Sequence, residues 1–261
     1  MKITLFTSNL SRHNYLINLL SEIASELFVV QEKKNVSSKL IPGNYPSTPI
    51  IKNYFSKVIH AENILFGNSS IMNKNKNVNL LSIKAGELNN YSMDSLKNFL
   101  DSSLYIVFGS SYIKGDLIKF LIKKKTVNIH MGVSPYYRGS DCNFWALYDN
   151  NPNFVGATIH LLSEGLDSGP ILYHALSEIK DDPFIYTMST VKSAFCSLVE
   201  RIKNETILKI KEVKQDKKKQ IRYSRKNEFV DEVVNEYLKK KINLNKKFKF
   251  NDYKEPYILK S

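Results

Sequence analysis

Residues 104–130 read LYIVFGSSYIKGDLIKFLIKKKTVNIH and predict a strand, a helix and a second strand in succession. The first five residues are rich in β-branched and aromatic side chains and stop at Gly109, which is typical of a buried strand. Residues 114–122 have apolar side chains at helical spacing, and residues 126–130 return to a strand pattern. Strands that alternate with helices in this way favour a parallel sheet.

The same alternation continues on both sides of this segment. Further strands are predicted at 3–6, 27–30, 78–83, 155–161 and 171–176, further helices at 12–25, 50–66, 93–101, 143–149, 183–203 and 229–240, and a loop at 35–49. The expected fold class is α/β, with a doubly wound, mainly parallel, Rossmann-like sheet whose ligands bind at the carboxyl ends of strands. Beyond residue 206 the composition becomes polar and lysine-rich, so we predict a main domain at 1–206 and a C-terminal extension at 207–261.

Composition limits the classes of partner. The 261 residues are 43% hydrophobic, which suffices for a buried core, and carry a formal net charge of +13. Most of that charge is lysine, whereas arginine is the side chain that pairs bidentately with phosphates and guanine, so we expect no nucleic-acid partner. Without a long apolar run or a signal peptide, the chain is expected to be cytoplasmic and free of membrane contact. Cys142 and Cys196 lie far apart in sequence and predict neither a disulfide nor a metal site.

Three polar side chains near strand ends form a candidate catalytic group. Asn128 and His130 are two residues apart on a strand, so their side chains point to the same side. Asp167 lies in a Gly-Leu-Asp-Ser-Gly loop, and a carboxylate beside His130 would orient the ring and raise its pKa. The Asn128 amide and the imidazole would then donate to an oxyanion while Asp167, directly or through water, takes a proton from an attacking amine. Taken singly, each of these residues is more often an ordinary turn residue.

The joint pattern resembles the folate-dependent formyltransferases. Asn128-Ile129-His130, Pro135-Tyr136-Tyr137-Arg138-Gly139 and Gly165-Leu166-Asp167-Ser168-Gly169 follow in the family's order, although Gly132-Val133-Ser134 departs from its usual Ser-Leu-Leu. The resemblance implies that residues 1–206 form a formyltransferase catalytic domain with Asn128, His130 and Asp167 as catalytic residues. It also implies N10-formyltetrahydrofolate as the formyl donor and direct attack by an amine. The residues implied to bind this cofactor are Phe108, Gly109, Ser110, Ser111, Tyr112, Ile113, Leu162 and Gly165.

The resemblance leaves the acceptor amine open between branches of the family. The 55 residues after 206 are fewer than the second domain of the enzymes that formylate methionyl-tRNA contains. The enzymes that formylate glycinamide ribonucleotide have a glycine-rich loop after the first strand, and this sequence has no glycine there. The expected acceptor is a nucleotide-linked amino sugar, such as a dTDP-4-amino-4,6-dideoxyhexose used for lipopolysaccharide O-antigen, with a homodimer left open. Its expected contacts are Arg12, Met131, Gly132, Tyr136, Tyr137, Arg138 and Asn143. The alternatives are another amine acceptor, a formyltetrahydrofolate hydrolase, and a basic RNA-binding protein on an inactive fold of this type.

Overall fold

The computed structural model describes residues 1–33, 45–71, 76–245 and 247–260. Its main feature is an eight-stranded sheet in the order β10-β8-β7-β5-β4-β1-β2-β3. The strands of this sheet are β1 (Lys2–Ser8), β2 (Glu26–Lys33), β3 (Val78–Lys84), β4 (Leu104–Phe108), β5 (Val127–His130), β7 (Ala157–Leu161), β8 (Ile171–Ser177) and β10 (Tyr257–Leu259). Of these eight, β7 runs against its two neighbours and every other pairing is parallel. The predicted doubly wound, mainly parallel sheet is therefore confirmed.

Helices cover both faces of the sheet because the strand side chains alternate. The helices are α1 (Ser11–Ser21), α2 (Pro49–Phe66), α3 (Gly115–Lys123), α4 (Cys142–Tyr148), α5 (Pro183–Lys203) and α6 (Asp231–Lys239). Leu5 and Ile106 share one buried cluster with α1 and α5, whereas Phe6 and Val107 share another with α3. Neighbouring residues on one strand thus enter opposite clusters, as a period of two requires.

One predicted helix is wrong. Residues 93–101 form no α-helix; the region instead contains two single 3₁₀ turns, Leu88–Asn90 and Lys97–Phe99. Within the predicted stretch Leu96 is fully buried, while most of its neighbours are exposed or half-buried. One buried side chain gives a short segment too little packing to sustain a regular helix. Of the predicted loop 35–49, residues 35–44 lie outside the described residues.

Residues beyond 206 pack against earlier parts of the chain. A short two-stranded pair joins β6 (Tyr137–Gly139) to β9 (Arg222–Ser224), and β10 extends the large sheet beside β8. Phe229 is 1% exposed and belongs to an aromatic cluster with Tyr54 of α2 and Phe144 of α4. These contacts place the C-terminal segment beside the loop that precedes α4. Within the described ranges, none of the helices combines the length and the apolar character needed to span a bilayer.

Candidate active site

The backbone brings the three predicted catalytic residues together at the carboxyl end of β5, an interior strand of the sheet. Asn128 and His130 occupy β5, where both are buried, and Asp167 lies in the loop between β7 and β8. Asp167 has a φ of 45°, in the left-handed region that few non-glycine residues adopt. Two residues later, a Cβ on Gly169 would lie 1.7 Å from the Leu161 carbonyl oxygen. The loop can therefore approach β7 closely only with glycine at position 169.

The side chains of the trio are in contact. His130 Nδ1 lies 3.2 Å from Asp167 Oδ2, and Asn128 Nδ2 donates to Asp167 Oδ1 at 3.3 Å. The other imidazole nitrogen of His130, Nε2, lies 3.5 Å from Cys142 Sγ. The carboxylate therefore lies between the amide and the imidazole that the sequence pattern singled out.

His160, on β7, completes the group. Its Nδ1 lies 2.8 Å from the Leu161 carbonyl oxygen, which can only accept, so the proton of the neutral ring is on Nδ1. Nε2 is then the acceptor for Asn128 Nδ2, at 2.9 Å. Both amide hydrogens of Asn128 are engaged, one by His160 and one by Asp167. For Asn128 to donate to an oxyanion, it must give up the longer of these bonds, the one to Asp167.

The charges of the trio are set by the contact between His130 and Asp167. Burial disfavours the charged imidazole, but the Asp167 carboxylate overcomes this and raises the pKa of His130 well above its usual value. Burial likewise opposes ionisation of Asp167, yet the charge and hydrogen bond of His130 keep the pKa of this carboxyl far below its usual range. At neutral pH the pair is therefore an imidazolium beside a carboxylate.

A cavity of about 300 Å³ opens beside the trio and is called the donor cavity here. All eight residues predicted to bind the cofactor line it: Phe108, Gly109, Ser110, Ser111, Tyr112, Ile113, Leu162 and Gly165. Asn128, His130 and Asp167 line the same cavity. Its two walls, the loops after β4 and after β7, are joined where the Tyr112 hydroxyl donates to the Glu164 carbonyl oxygen at 2.6 Å.

Glu32 supports this cavity and was missed from the sequence. It is 1% exposed at the end of β2, and its two carboxylate oxygens accept the backbone N–H groups of Gly86 and Ser111. The second bond fixes the backbone of the cavity wall. Its sequence context, Glu32-Lys33-Lys34, looks like a solvated run of charges, so no local pattern indicates its role. Lys33 is exposed, and Lys34 lies outside the described residues.

A second cavity, of about 360 Å³, is called the acceptor cavity here. Met131 lines both cavities. Arg12 and Asn143, two further predicted substrate contacts, also line the second one, with aromatic side chains of α2, α4, α5 and α6 around them. Charged groups in its wall include Asp141, which accepts the Tyr45 hydroxyl on both carboxylate oxygens, and Lys226, whose Nζ lies 4.4 Å from the Tyr45 ring centre.

The remaining predicted substrate contacts line neither cavity and pack inside the protein. Tyr136 stacks on Phe154 with ring centres 4.3 Å apart. Tyr137 is 1% exposed, and its hydroxyl accepts from Asn151 at 2.8 Å. Arg138 is buried and donates to the Leu166 carbonyl oxygen at 3.4 Å, so it braces the Asp167 loop. A Cβ on Gly132 would lie 2.5 Å from Cys142 Cβ and 2.9 Å from His130 Nε2, which explains the glycine as a packing requirement.

Comparison with known proteins shows what the segment around this site is similar to. Residues 103–195 match the family model described as Formyl transferase. A curated methionyl-tRNA formyltransferase from Caldicellulosiruptor saccharolyticus is 37% identical over 92 residues, which cover 34% of this chain and 29% of that protein. The chain spans between 21% and 29% of the length of the curated relatives it matches.

Solved structures resemble the chain over most of its length. A sugar N-formyltransferase from Shewanella sp. superposes with a TM-score of 0.55 at 16% identity, over 97% of this chain and 85% of that one. An N-formyltransferase from Helicobacter canadensis, in complex with folinic acid and dTDP-3-aminofucose, superposes with a TM-score of 0.51 at 12% identity, over 90% of this chain and 79% of that one. At these low identities, the superpositions show a shared fold alone.

The sheet order, the trio and the matched segment define a chain with the fold of the folate-dependent formyltransferases. The resemblance inferred from the sequence is therefore confirmed. Within that class, the solved structures that the chain resembles over most of its length include sugar N-formyltransferases.

Proposed function

We propose that the protein transfers a formyl group from N10-formyltetrahydrofolate to the amine of a nucleotide-linked amino sugar. The observation that carries this proposal is the position of His130 and Asp167, which line the donor cavity while Met131 links that cavity to a second one of similar size. A transfer reaction needs two binding sites that meet at the reacting groups.

The donor cavity suits a folate. A reduced pterin presents a flat ring with hydrogen-bonding edges, and the cavity combines apolar side chains with the exposed backbone of the loops after β4 and β7. The match to the formyl transferase model and the folinic acid in the Helicobacter canadensis complex support the same ligand class. The folate would supply an activated formyl group, and Ser111, Tyr112 and Leu162 would hold its ring.

The charges of the trio assign distinct tasks to its members. His130, kept protonated by Asp167, would stabilise the negative charge that develops on the formyl oxygen, and Asn128 would add a second donor after releasing Asp167. The low pKa of Asp167 makes this carboxylate a weak base. We therefore assign Asp167 the task of keeping His130 charged and of favouring the positive charge on the nitrogen that bonds to the formyl carbon. Water would take a proton from that nitrogen, and tetrahydrofolate would leave as the bond between the formyl carbon and N10 breaks and N10 is protonated.

The acceptor cavity supports an amino sugar. Aromatic side chains such as Phe144 and Tyr237 offer apolar surface to the faces of a sugar ring, and the exposed Lys226 supplies a positive charge for a diphosphate. Arg12 lies in the same wall, with its guanidinium engaged by Glu62. We propose a dTDP-linked 4-amino-4,6-dideoxyhexose as the preferred acceptor, in a cytoplasmic step towards lipopolysaccharide O-antigen.

The test is a set of acceptors incubated with N10-formyltetrahydrofolate and followed by mass spectrometry. We expect one formyl group to be added to a dTDP- or UDP-linked amino sugar, and no formylation of methionyl-tRNA, the substrate named for the curated relative. Formate release without any acceptor would instead indicate a hydrolase. His130→Ala should remove most turnover, whereas the same substitution at His60, which is exposed on α2, should leave the rate unchanged.

A further inference from the structure

Gln215 contacts the loop that carries Asp167. Its side-chain Nε2 donates to the carbonyl oxygen of Asp167 at 2.8 Å and to that of Gly169 at 2.9 Å. A primary amide has two N–H groups, and both are used here on alternate residues of one loop. The opposite orientation of the amide would place its oxygen against two carbonyl oxygens, so the two contacts fix which way the side chain faces.

The segment that carries Gln215 is itself anchored. Two residues earlier, Val213 and Ile171 exchange a pair of backbone hydrogen bonds, of 2.7 and 2.9 Å. Ile171 begins β8, and its side chain is buried. The Gln215 amide is therefore held close to a strand of the large sheet, and it can act as a fixed support for the loop between β7 and β8.

The loop depends on such a support because of its backbone conformation. Asp167 has a positive φ, which an aspartate adopts at a cost, and the neighbouring Leu166 is 47% exposed. Bonds to the backbone of Asp167 and Gly169 hold that conformation from both sides of Ser168. The direction of the Asp167 side chain, and hence its 3.2 Å contact with His130, follows from this backbone position.

We propose that Gln215 is a positioning residue that holds Asp167 against His130, so that the segment after residue 206 is part of the active-site machinery. Gln215 acts on the reaction through Asp167 and is not expected to touch either substrate. The part of the proposal that concerns turnover rests on the proposed function. The part that concerns His130 does not, because the charge state of His130 is measured without substrate.

The test compares Gln215→Met with Gln215→Lys. Both replacements have an unbranched stem of similar length, but methionine lacks N–H donors and lysine keeps them. In Gln215→Met we expect kcat to fall by about 10- to 100-fold, the scale expected when a reacting group is displaced by about 1 Å, with little change in KM for the folate. Gln215→Lys should stay closer to the wild-type kcat. Gln220→Met, at an exposed position in the same segment, is the matched control and should behave as wild type.

A second measurement separates positioning from a general loss of stability. In folded Gln215→Met, the imidazole of His130 should titrate at a lower pH than in the wild type by NMR, because Asp167 is the group that holds its charge. Unchanged kcat and unchanged titration would overturn the proposal, as would equal losses in the methionine and lysine variants. If the methionine variant does not fold, Gln215→Ala removes the N–H donors without placing a new group against the two carbonyl oxygens, and its kcat is judged by the same criterion. If His130 titrates at a lower pH in Gln215→Met than in the wild type, but the wild type formylates no acceptor, the positioning role would stand and the proposed function would be rejected.

Discussion

Replacing Asp167 by asparagine tests the charge pair on which the site depends. The change keeps the shape of the side chain and removes its charge. At 3.2 Å between Nδ1 and Oδ2, with charge centres about 4 Å apart and an effective dielectric constant of about 20, the attraction is about 4 kcal/mol. The imidazole of the variant can release its proton to avoid an unpaired buried charge. We therefore expect the unfolding free energy to fall by about 2–4 kcal/mol, at or somewhat below the roughly 3–5 kcal/mol typical of a broken buried pair, because the neutral imidazole leaves no unpaired charge.

The pH dependence of this loss has a defined sign. His130 has a raised pKa in the folded protein, so its contribution is complete below the unfolded value of about 6.5 and disappears as the pH rises through the folded pKa. Asp167 has a lowered pKa, so its contribution is complete above the unfolded value of about 3.9 and is lost as the pH falls below it. The difference between wild type and Asp167→Asn should therefore be greatest at about pH 5–6 and shrink on both sides.

Urea unfolding at several pH values measures this difference. Asp116→Asn is the matched control, because Asp116 forms an exposed pair with Lys119 and should change stability by less than about 1 kcal/mol at every pH. NMR of His130 in folded Asp167→Asn should show titration below the wild-type value, because burial alone disfavours the charged ring. A stability difference that is the same from acid to alkaline pH, or a His130 titration that does not move, would refute the assigned charge states.

Three further changes test the surroundings of the trio. Glu32→Gln places an N–H group against a backbone N–H. KM for the folate should rise by about 10-fold, which corresponds to one lost charge-assisted hydrogen bond of about 1.5 kcal/mol. An unchanged KM would contradict the inference that Glu32 holds the Ser111 backbone in place. Lys226→Ala should raise KM for the acceptor and leave KM for the folate unchanged, because Lys226 is an exposed positive charge in the wall of the acceptor cavity; an unchanged KM for the acceptor contradicts the assigned cavity. Gly169→Ala should reduce activity sharply, because its Cβ would lie 1.7 Å from the Leu161 carbonyl oxygen. A wild-type rate would show that the loop can adopt another active conformation.

The central fold was predictable because its signals are local. The β4, α3 and β5 segment has strong strand and helix patterns over 20 to 30 consecutive residues, and the observed elements begin and end within about two residues of the predicted ones. The Asn128 and His130 pair follows directly from strand alternation. Asp167 was placed near them by its motif, and the geometry agrees because Gly169 permits the loop to approach β7.

The unpredicted strands lack such local signals. β6, β9 and β10 have three residues each, and Tyr137 pairs with Arg222, 85 positions further along the chain. Pairing at that separation is set by the packing of α4 and α6 around Phe229, which composition does not reveal. Glu32 and Gln215 were missed for a related reason. Each acts on the backbone of a distant loop, and in sequence each looks like a polar residue in a charged run.

The arrangement of the two cavities favours direct transfer over a covalent enzyme intermediate. The imidazolium of His130 is paired at Nδ1 with Asp167, so it stabilises negative charge and has no free electron pair with which to attack. Asp167 lines the donor cavity beside it, and the Met131 side chain is shared with the acceptor cavity. An amine bound in the acceptor cavity would therefore reach the formyl carbon beside Met131, next to the positively charged His130. The proposed catalysis would then require the trio to hold charge and position. Three hydrogen bonds are consistent with this requirement: His160 accepts from Asn128, Arg138 donates to the Leu166 carbonyl oxygen, and Gln215 donates to the Asp167 carbonyl oxygen.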